Sequence, residues 1–317
     1  MLMPKPNILV YNTSQAEIYA QYIRGCGFSS VVAAATPEEA AKYLPNIEVV
    51  LGWEFPTQLL KDPISSSVLW FQSAGAGVDD LIADKSIPEN IILTRVVDQF
   101  GGYISEYIFT YLLYILKDVP RMRKSQLEQR WDPFISESLA GKTIGVAGLG
   151  SIGKEIIRKA RAFDMNVYGL SYRGEHAHLT DRHFTQEQLR DFVEELDYLV
   201  LSLPLTEFTH HMINRDILYS MKAEACLFNV GRGSLIDEKE LLTVMQSGHL
   251  KAAVLDVFET EPLPKNHGFY SIPNIYLTSH LSGPSIIDGV SDFFIENLTR
   301  YLNHQPLKGV VDRKRGY

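Results

Sequence analysis

Short apolar runs alternate with amphipathic stretches along most of this chain. "NILVYN", "VVLGW", "VLWFQS" and "IILTRV" have the length and β-branched content of strands. Between them, "SQAEIYAQYIRGCG" and "TPEEAAKYL" space their apolar residues as helices do; in the second, Thr36 is the cap and Pro37 the first helical residue. Alternating strands and helices predict a parallel sheet covered on both faces. The alternation stops at "GGYISEYIFTYLLYILKDVPRMRKSQ", which predicts one helix much longer than its neighbours. It restarts with six strands, "TIGVAGLG", "NVYGLS", "YLVLSLP", "CLFNVG", "AAVLDV" and "IYLTS", and a last helix is predicted from about Ser285 to Asn303. Six is the strand count of a dinucleotide-binding doubly wound sheet. The fold class predicted is therefore α/β, with two doubly wound parallel-sheet domains. Residues 1–100 and 285–317 form one and residues 101–284 the other, with a cleft expected between them.

Composition narrows the classes without changing this picture. A chain of 317 residues has room for two domains of ordinary size, and 45% hydrophobic with 21% charged residues is normal for a soluble globular protein. A formal charge of −8 argues against nucleic-acid binding; the basic tail "DRKRGY" is too small to reverse that. Cys26 and Cys226 lie far apart and form neither a metal spacing nor a disulfide framework, which fits a reducing cytoplasm. The start "MLMPKPNILVYN" has no signal-like apolar region, and "YIFTYLLYIL", bounded by Glu106 and Lys117, is too short to span a bilayer. A cytoplasmic protein is expected, with no membrane and no nucleic-acid partner.

"GLGSIG" gives the chain its first chemistry. Gly148, Gly150 and Gly153 have the spacing G-x-G-x-x-G, after the apolar strand "TIGVA" and at the start of an amphipathic helix. Gly148 would make the tight turn, Gly150 would admit a pyrophosphate to the backbone, and Gly153 would let helix and strand pack closely. Ser151 and Ile152 would offer amides at the positive helix end. An ordinary glycine-rich strand–helix turn is the blander reading. An acidic residue for the ribose should close the second strand; "NVYGLSYRGEH" holds Ser171 there, followed by Tyr172 and Arg173. That pattern favours NADP(H), whose 2′-phosphate Arg173 could pair with, while NAD(H) stays open.

Three strand ends in the second half carry unexpected polar residues: Arg232 in "NVGRGSL", Glu261 in "LDVFETEPLP" and His280 in "IYLTSHLSG". In open α/β sheets ligands gather at the carboxyl ends of strands. Arg232 stands between two glycines, which predicts a close approach of backbone and guanidinium to a planar anion. In a 2-keto acid, Arg232 could bridge the carboxylate and the neighbouring carbonyl. His280 suits a proton donor, and a carboxylate such as Glu261 beside it would orient the ring and favour its protonated form. Each residue alone also has an ordinary structural reading.

Taken together, "GLGSIG", "NVGRGSLIDEKEL", "LDVFETEPLP" and the histidine strand resemble the D-2-hydroxyacid dehydrogenase family over nearly the whole chain. "SAGAGVDDL" and "SEYIFTYLL" resemble the family's substrate domain and its first interdomain helix, and "WDPF" and "VDRKRGY" are most similar to its glyoxylate/hydroxypyruvate reductase A branch. Ser279 departs from the proline that many members place before the histidine. The resemblance implies a Rossmann NAD(P)-binding domain inserted into a flavodoxin-like substrate domain. It implies Arg232, Glu261 and His280 as catalytic residues, and Leu203, Pro204, Thr209, Val230 and Asp256 as further cofactor contacts. It implies that Trp53 stands at the cleft mouth, although a buried core tryptophan is also open. Gly75, Ala76, Gly77 and Val78 would give amides to the substrate carboxylate as a small anion nest.

A homodimer is implied as well, with Trp131 reaching the neighbouring subunit or packing at the interface. The activity implied is reduction of glyoxylate and hydroxypyruvate by NADPH. Alternatives are an NAD-dependent D-2-hydroxyacid dehydrogenase for a bulkier acid, and a dinucleotide-sensing corepressor-like binding protein. His176, His178 and His183 read as a solvated loop, with no metal expected.

Overall fold

A computed structural model describes residues 5–316; expectations that touch residues 1–4 or Tyr317 lie outside the described residues. The chain divides into two compact units, Met1–Gln99 with Ser285–Tyr317, and Phe100–Pro284.

The first unit opens with strand β1 (Ile8–Tyr11), helix α1 (Ala16–Gly25), β2 (Val31–Ala34), α2 (Pro37–Tyr43), β3 (Val49–Gly52), α3 (Gln58–Lys61), β4 (Trp70–Ser73), α4 (Asp79–Ala83) and β5 (Ile92–Thr94). The strands form one sheet in the order β2-β1-β3-β4-β5, each pairing parallel. This is the flavodoxin-like order. Both sheet faces are covered, so β1, β3 and β4 are buried at every position. Helix α2 starts where its sequence says: the Thr36 side chain accepts the Glu39 amide and Pro37 stands at the first helical position.

In the second unit follow α5 (Gly101–Leu116), α6 (Val119–Leu127), β6 (Thr143–Ala147), α7 (Ser151–Ala162), β7 (Asn166–Leu170), β8 (Arg182–Phe184), α8 (Leu189–Glu194), β9 (Tyr198–Leu201), α9 (Arg215–Ser220), β10 (Cys226–Asn229), α10 (Glu238–Gln246), β11 (Ala252–Leu255) and β12 (Ile275–Leu277). The sheet runs β12-β11-β10-β9-β6-β7-β8, again parallel. Strand order reverses between β6 and β9, the switch point at which ligands bind in such sheets. The C-terminal helix α11 (Ile287–Leu302) returns to the first unit and packs on α1.

Several sequence expectations need correction. The second sheet has seven strands, because the three-residue edge strand β8 adds to the six expected. The first has five, because β2 is too alanine-rich to be recognised as a strand. The long helix is two helices. Pro120 cannot donate to a fourth-preceding carbonyl, so the chain breaks at Asp118, whose φ of 47° is left-handed and whose carboxylate accepts the Arg121 amide at 3.3 Å. Among the described residues no helix is long and apolar enough to cross a membrane. Cys26 and Cys226 are both free, and burial pushes the Cys226 thiol up to about 12.

Candidate active site

The phosphate loop is built by steric demand. Gly148 has φ +102°, a conformation that suits glycine, and a Cβ there would meet the Ser202 carbonyl oxygen at 2.7 Å. Ser202 follows β9 across the switch point, and its hydroxyl donates to the carbonyls of Ala147 and Gly148, both at 3.1 Å. A Cβ on Gly153 would collide with the Gly148 carbonyl, so helix α7 can pack on the turn only with glycine. Gly150 is different: a Cβ would meet nothing within 4 Å. It caps the start of α7 and faces open space, where a phosphate can reach the free amides that Ser151 and Ile152 begin. These residues fit a dinucleotide.

Strand β7 ends in Leu170, and Ser171 follows it, with Oγ 2.8 Å from His183 Nε2. Tyr172 and Arg173 beyond it are exposed. His183 belongs to β8 and holds Ser171, which corrects its reading as a solvated loop residue; His178 lies in a short 3-10 helix, Ala177–Leu179, that His176 precedes. Leu203 and Pro204 continue from β9, and the buried Thr209 hydroxyl donates to the Pro204 carbonyl at 2.8 Å and accepts the Thr206 amide at 2.8 Å.

At the other side of the switch point, β10, β11 and β12 deliver the polar residues. Beyond β10, Val230 is buried, Asn229 accepts the Gly231 amide at 3.1 Å, and its amide nitrogen donates to the Arg232 carbonyl at 2.8 Å. The Arg232 guanidinium donates to the Gly231 carbonyl at 2.7 Å. The two glycines are each required by the protein's own packing. A Cβ on Gly231 would meet the Leu203 carbonyl oxygen at 2.8 Å, and one on Gly233 would fall inside the Phe258 carbonyl group. Gly233 thereby presses the Arg232 loop against the Phe258–Glu261 loop.

Glu261 Oε1 accepts the Phe258 amide at 2.9 Å, and Oε2 lies 2.8 Å from His280 Nδ1. With Nδ1 so engaged, Nε2 of the exposed ring has no protein partner among the described residues. His280 has φ +51°, an uncommon value for a side chain with a Cβ. It is held there by Asp256. The Asp256 carbonyl accepts the His280 amide at 2.8 Å, while its fully buried carboxylate accepts the Thr278 hydroxyl at 2.6 Å and the amides of Leu281 and Ser282 at 2.9 Å each. Tyr107 from α5 bonds Thr278 at 2.7 Å, and burial pushes its phenol above the ordinary range.

Sequence reasoning missed a clasp on the Glu261 loop. Glu238 Oε1 accepts the Glu259 amide at 2.8 Å; in return Glu259 Oε1 accepts the Glu238 amide at 3.3 Å and lies 2.9 Å from His211 Nε2. Nothing in "IDEKEL" or "FETEP" marks these glutamates apart from other surface acids.

In the first unit, the loop after β4 carries Gly75, Ala76, Gly77 and Val78. The Gly75 amide donates to Ser73 Oγ at 3.2 Å, and a Cβ on Gly75 would strike the Trp53 ring. Trp53 is 37% exposed rather than enclosed in a core. The amides of Ala76, Gly77 and Val78 donate to no acceptor among the described residues.

This geometry has relatives. The family model for the D-isomer specific 2-hydroxyacid dehydrogenase, NAD binding domain, matches residues 109–282, more than half of the chain. The chain belongs to the D-isomer specific 2-hydroxyacid dehydrogenase family. It is 30% identical over 276 residues to glyoxylate/hydroxypyruvate reductase A of Serratia proteamaculans, covering 85% of this chain and 88% of that protein. It is 31% identical to D-3-phosphoglycerate dehydrogenase of Methanocaldococcus jannaschii over 80% of this chain, but that match spans only 49% of the archaeal protein. The NADPH-dependent glyoxylate/hydroxypyruvate reductase of Sinorhizobium meliloti, solved with NADP and sulfate, superposes with a TM-score of 0.88 at 25% identity, covering 98% of this chain and 100% of that one. Family membership accounts for the two parallel-sheet units and makes the chain an oxidoreductase.

Proposed function

We propose that this chain reduces small 2-keto acids, glyoxylate and hydroxypyruvate first among them, to 2-hydroxy acids with NADPH as donor. The observation that carries the reading is the 2.8 Å pair of Glu261 and His280, on loops packed against the one bearing Arg232, in a sheet whose phosphate loop fits a dinucleotide. Unit Phe100–Pro284 is the cofactor domain in this reading, and the other unit supplies substrate contacts. A bound nicotinamide supplies the hydride. The chain's own residues do the rest. Arg232 holds the substrate carboxylate with its planar fork and stabilises the negative charge that develops on the carbonyl oxygen. His280 gives that oxygen its proton from Nε2, and Glu261 keeps Nδ1–H engaged so that the ring cannot turn away. In the oxidation direction, the neutral ring takes the proton back. The Ala76, Gly77 and Val78 amides add donors for the carboxylate, and Trp53 bounds the substrate.

Ser171 in place of an acid, and Arg173 beside it, support NADPH over NADH. The Sinorhizobium meliloti relative, named as an NADPH-dependent glyoxylate/hydroxypyruvate reductase, supports the same choice of cofactor, and the Serratia relative's name supports the substrates. The protein works in the cytoplasm as a homodimer in this reading. Trp131 and Ile135, 93% and 99% exposed, and the exposed Leu127 are apolar enough to favour cover by a second copy. Initial rates with glyoxylate and hydroxypyruvate, with NADPH compared against NADH, test the activity. Rapid NADPH-driven turnover is expected. NADH preference would remove the cofactor choice, and absence of turnover with both would remove the substrate choice. Light scattering on the purified protein, against Trp131→Asp, tests the dimer.

A further inference from the structure

Beside the carboxyl end of β7 stands a histidine that the proposed reaction does not use. His183 lies on β8 directly opposite Gly169 in the parallel register. Its Nε2 is 2.8 Å from Ser171 Oγ, and its Cε1 is 3.7 Å from where a Cβ on Gly174 would stand. The imidazole thus packs beneath the turn from Ser171 to Gly174, which presents Arg173 to solvent. Gly174, with φ +71°, allows that turn to close over the ring. Among the described residues, Arg173 engages no carboxylate of the protein.

We propose that His183 is a positioning residue for a 2′-phosphorylated ribose, acting through Ser171; the proposal rests on the NADPH reading above. The reason lies in donor counting. A ribose hydroxyl donates or accepts, so either orientation of the Ser171 hydroxyl suits it. A phosphate oxygen only accepts. Ser171 has one proton, and if it went to His183 none would remain for the phosphate. When His183 Nε2–H donates to Ser171 Oγ, the serine keeps its proton for the phosphate, next to the guanidinium of Arg173. His183 therefore converts an indifferent hydroxyl into a donor and turns a permissive strand end into a selective one.

Binding of 2′,5′-ADP and of 5′-AMP to the full chain, measured by calorimetry, tests this without turnover. The unaltered protein is expected to prefer 2′,5′-ADP. His183→Phe keeps a ring beneath the turn but removes its N–H. It should weaken 2′,5′-ADP about 10-fold, the scale of one hydrogen bond to a charged group, and leave 5′-AMP unchanged. His183→Gln, whose amide can donate, should recover most of the loss. In a Ser171→Ala background, His183→Phe should cost nothing further. Equal weakening of both ligands in His183→Phe, no change in either, or a further loss in the Ser171→Ala background overturns the proposal. Should His183→Phe not fold, His183→Gln still decides, because loss of the preference in that folded variant also overturns it. If the unaltered protein binds both ligands equally and oxidises NADH as fast as NADPH, the NADPH reading fails and this inference falls with it. An NADPH-preferring protein with an indifferent His183 fails the inference alone.

Discussion

The two sides of the switch point in the second sheet are built on opposite plans. At the ends of β10, β11 and β12 almost every group is fixed by another. Gly233 seats against the Phe258 backbone, Glu261 accepts the Phe258 amide, and Asp256 spends its whole carboxylate on the loop that carries His280. At the end of β7, the Ser171 hydroxyl has one partner among the described residues and Arg173 stands in solvent. In the proposed reaction the difference follows from what each side has to do. A proton donor must be placed to a fraction of an ångström for the reaction to gain from it. A phosphate held by flexible cationic and hydroxyl donors tolerates looser placement. The rigid side should therefore govern turnover and stability, and the open side the choice of cofactor.

The largest expected effect lies on the rigid side. His280→Ala should lower kcat by about 10²- to 10⁴-fold, the usual range for a lost general acid, while NADPH binding by fluorescence stays unchanged. Unchanged turnover would remove His280 as proton donor. Gly233→Ala comes next. Its Cβ has to displace backbone rather than a side-chain tip, so a stability loss of about 1–3 kcal/mol is expected, read as a lower urea midpoint, with kcat falling alongside as the Glu261 loop shifts. If stability falls and kcat does not, the two loops are not coupled in the way the contact suggests.

On the open side, Arg173→Ala should raise KM for NADPH about 10-fold, with kcat, the urea midpoint and KM for NADH nearly unchanged. Equal losses for both cofactors would defeat the assignment of Arg173, and a change in kcat would break the contrast between the two sides. The smallest effect is expected from Glu259→Gln. Its contacts with His211 and the Glu238 amide are half exposed, so the stability cost should be at most about 1 kcal/mol. A kcat loss of about the size seen for Gly233→Ala would show the clasp to matter more for Glu261 than its exposure suggests.

Much of the fold could be read from the chain because its strands are buried on both faces, and such strands stand out as continuous apolar runs. "VVLG", "TIGVA" and "CLFN" are of this kind. The strands that were missed lack that signature. β2 is half alanine, and β8 is a three-residue edge strand reading Arg182-His183-Phe184. The break between α5 and α6 had its signal in Pro120, which the apolar periodicity around it outweighed. In the site, residue types and their order suggested Arg232, Glu261 and His280. The 2.8 Å contact between the last two, and the left-handed backbone that presents the ring, belong to the folded chain.

Alone, the sequence determined the alternation of strand and helix, the phosphate loop and the identity of the groups that can hold an acid or move a proton. Those are properties of spacing and of residue type, and they are local. Only the tertiary structure decided what the glycines beside Arg232 pack against, which carboxylate organises the histidine loop, and that His183 stands under Ser171. Each of these depends on segments far apart in the chain meeting at one strand end. No local pattern records such a meeting, because it is fixed by the register of the sheet and the close packing of loops at its edge.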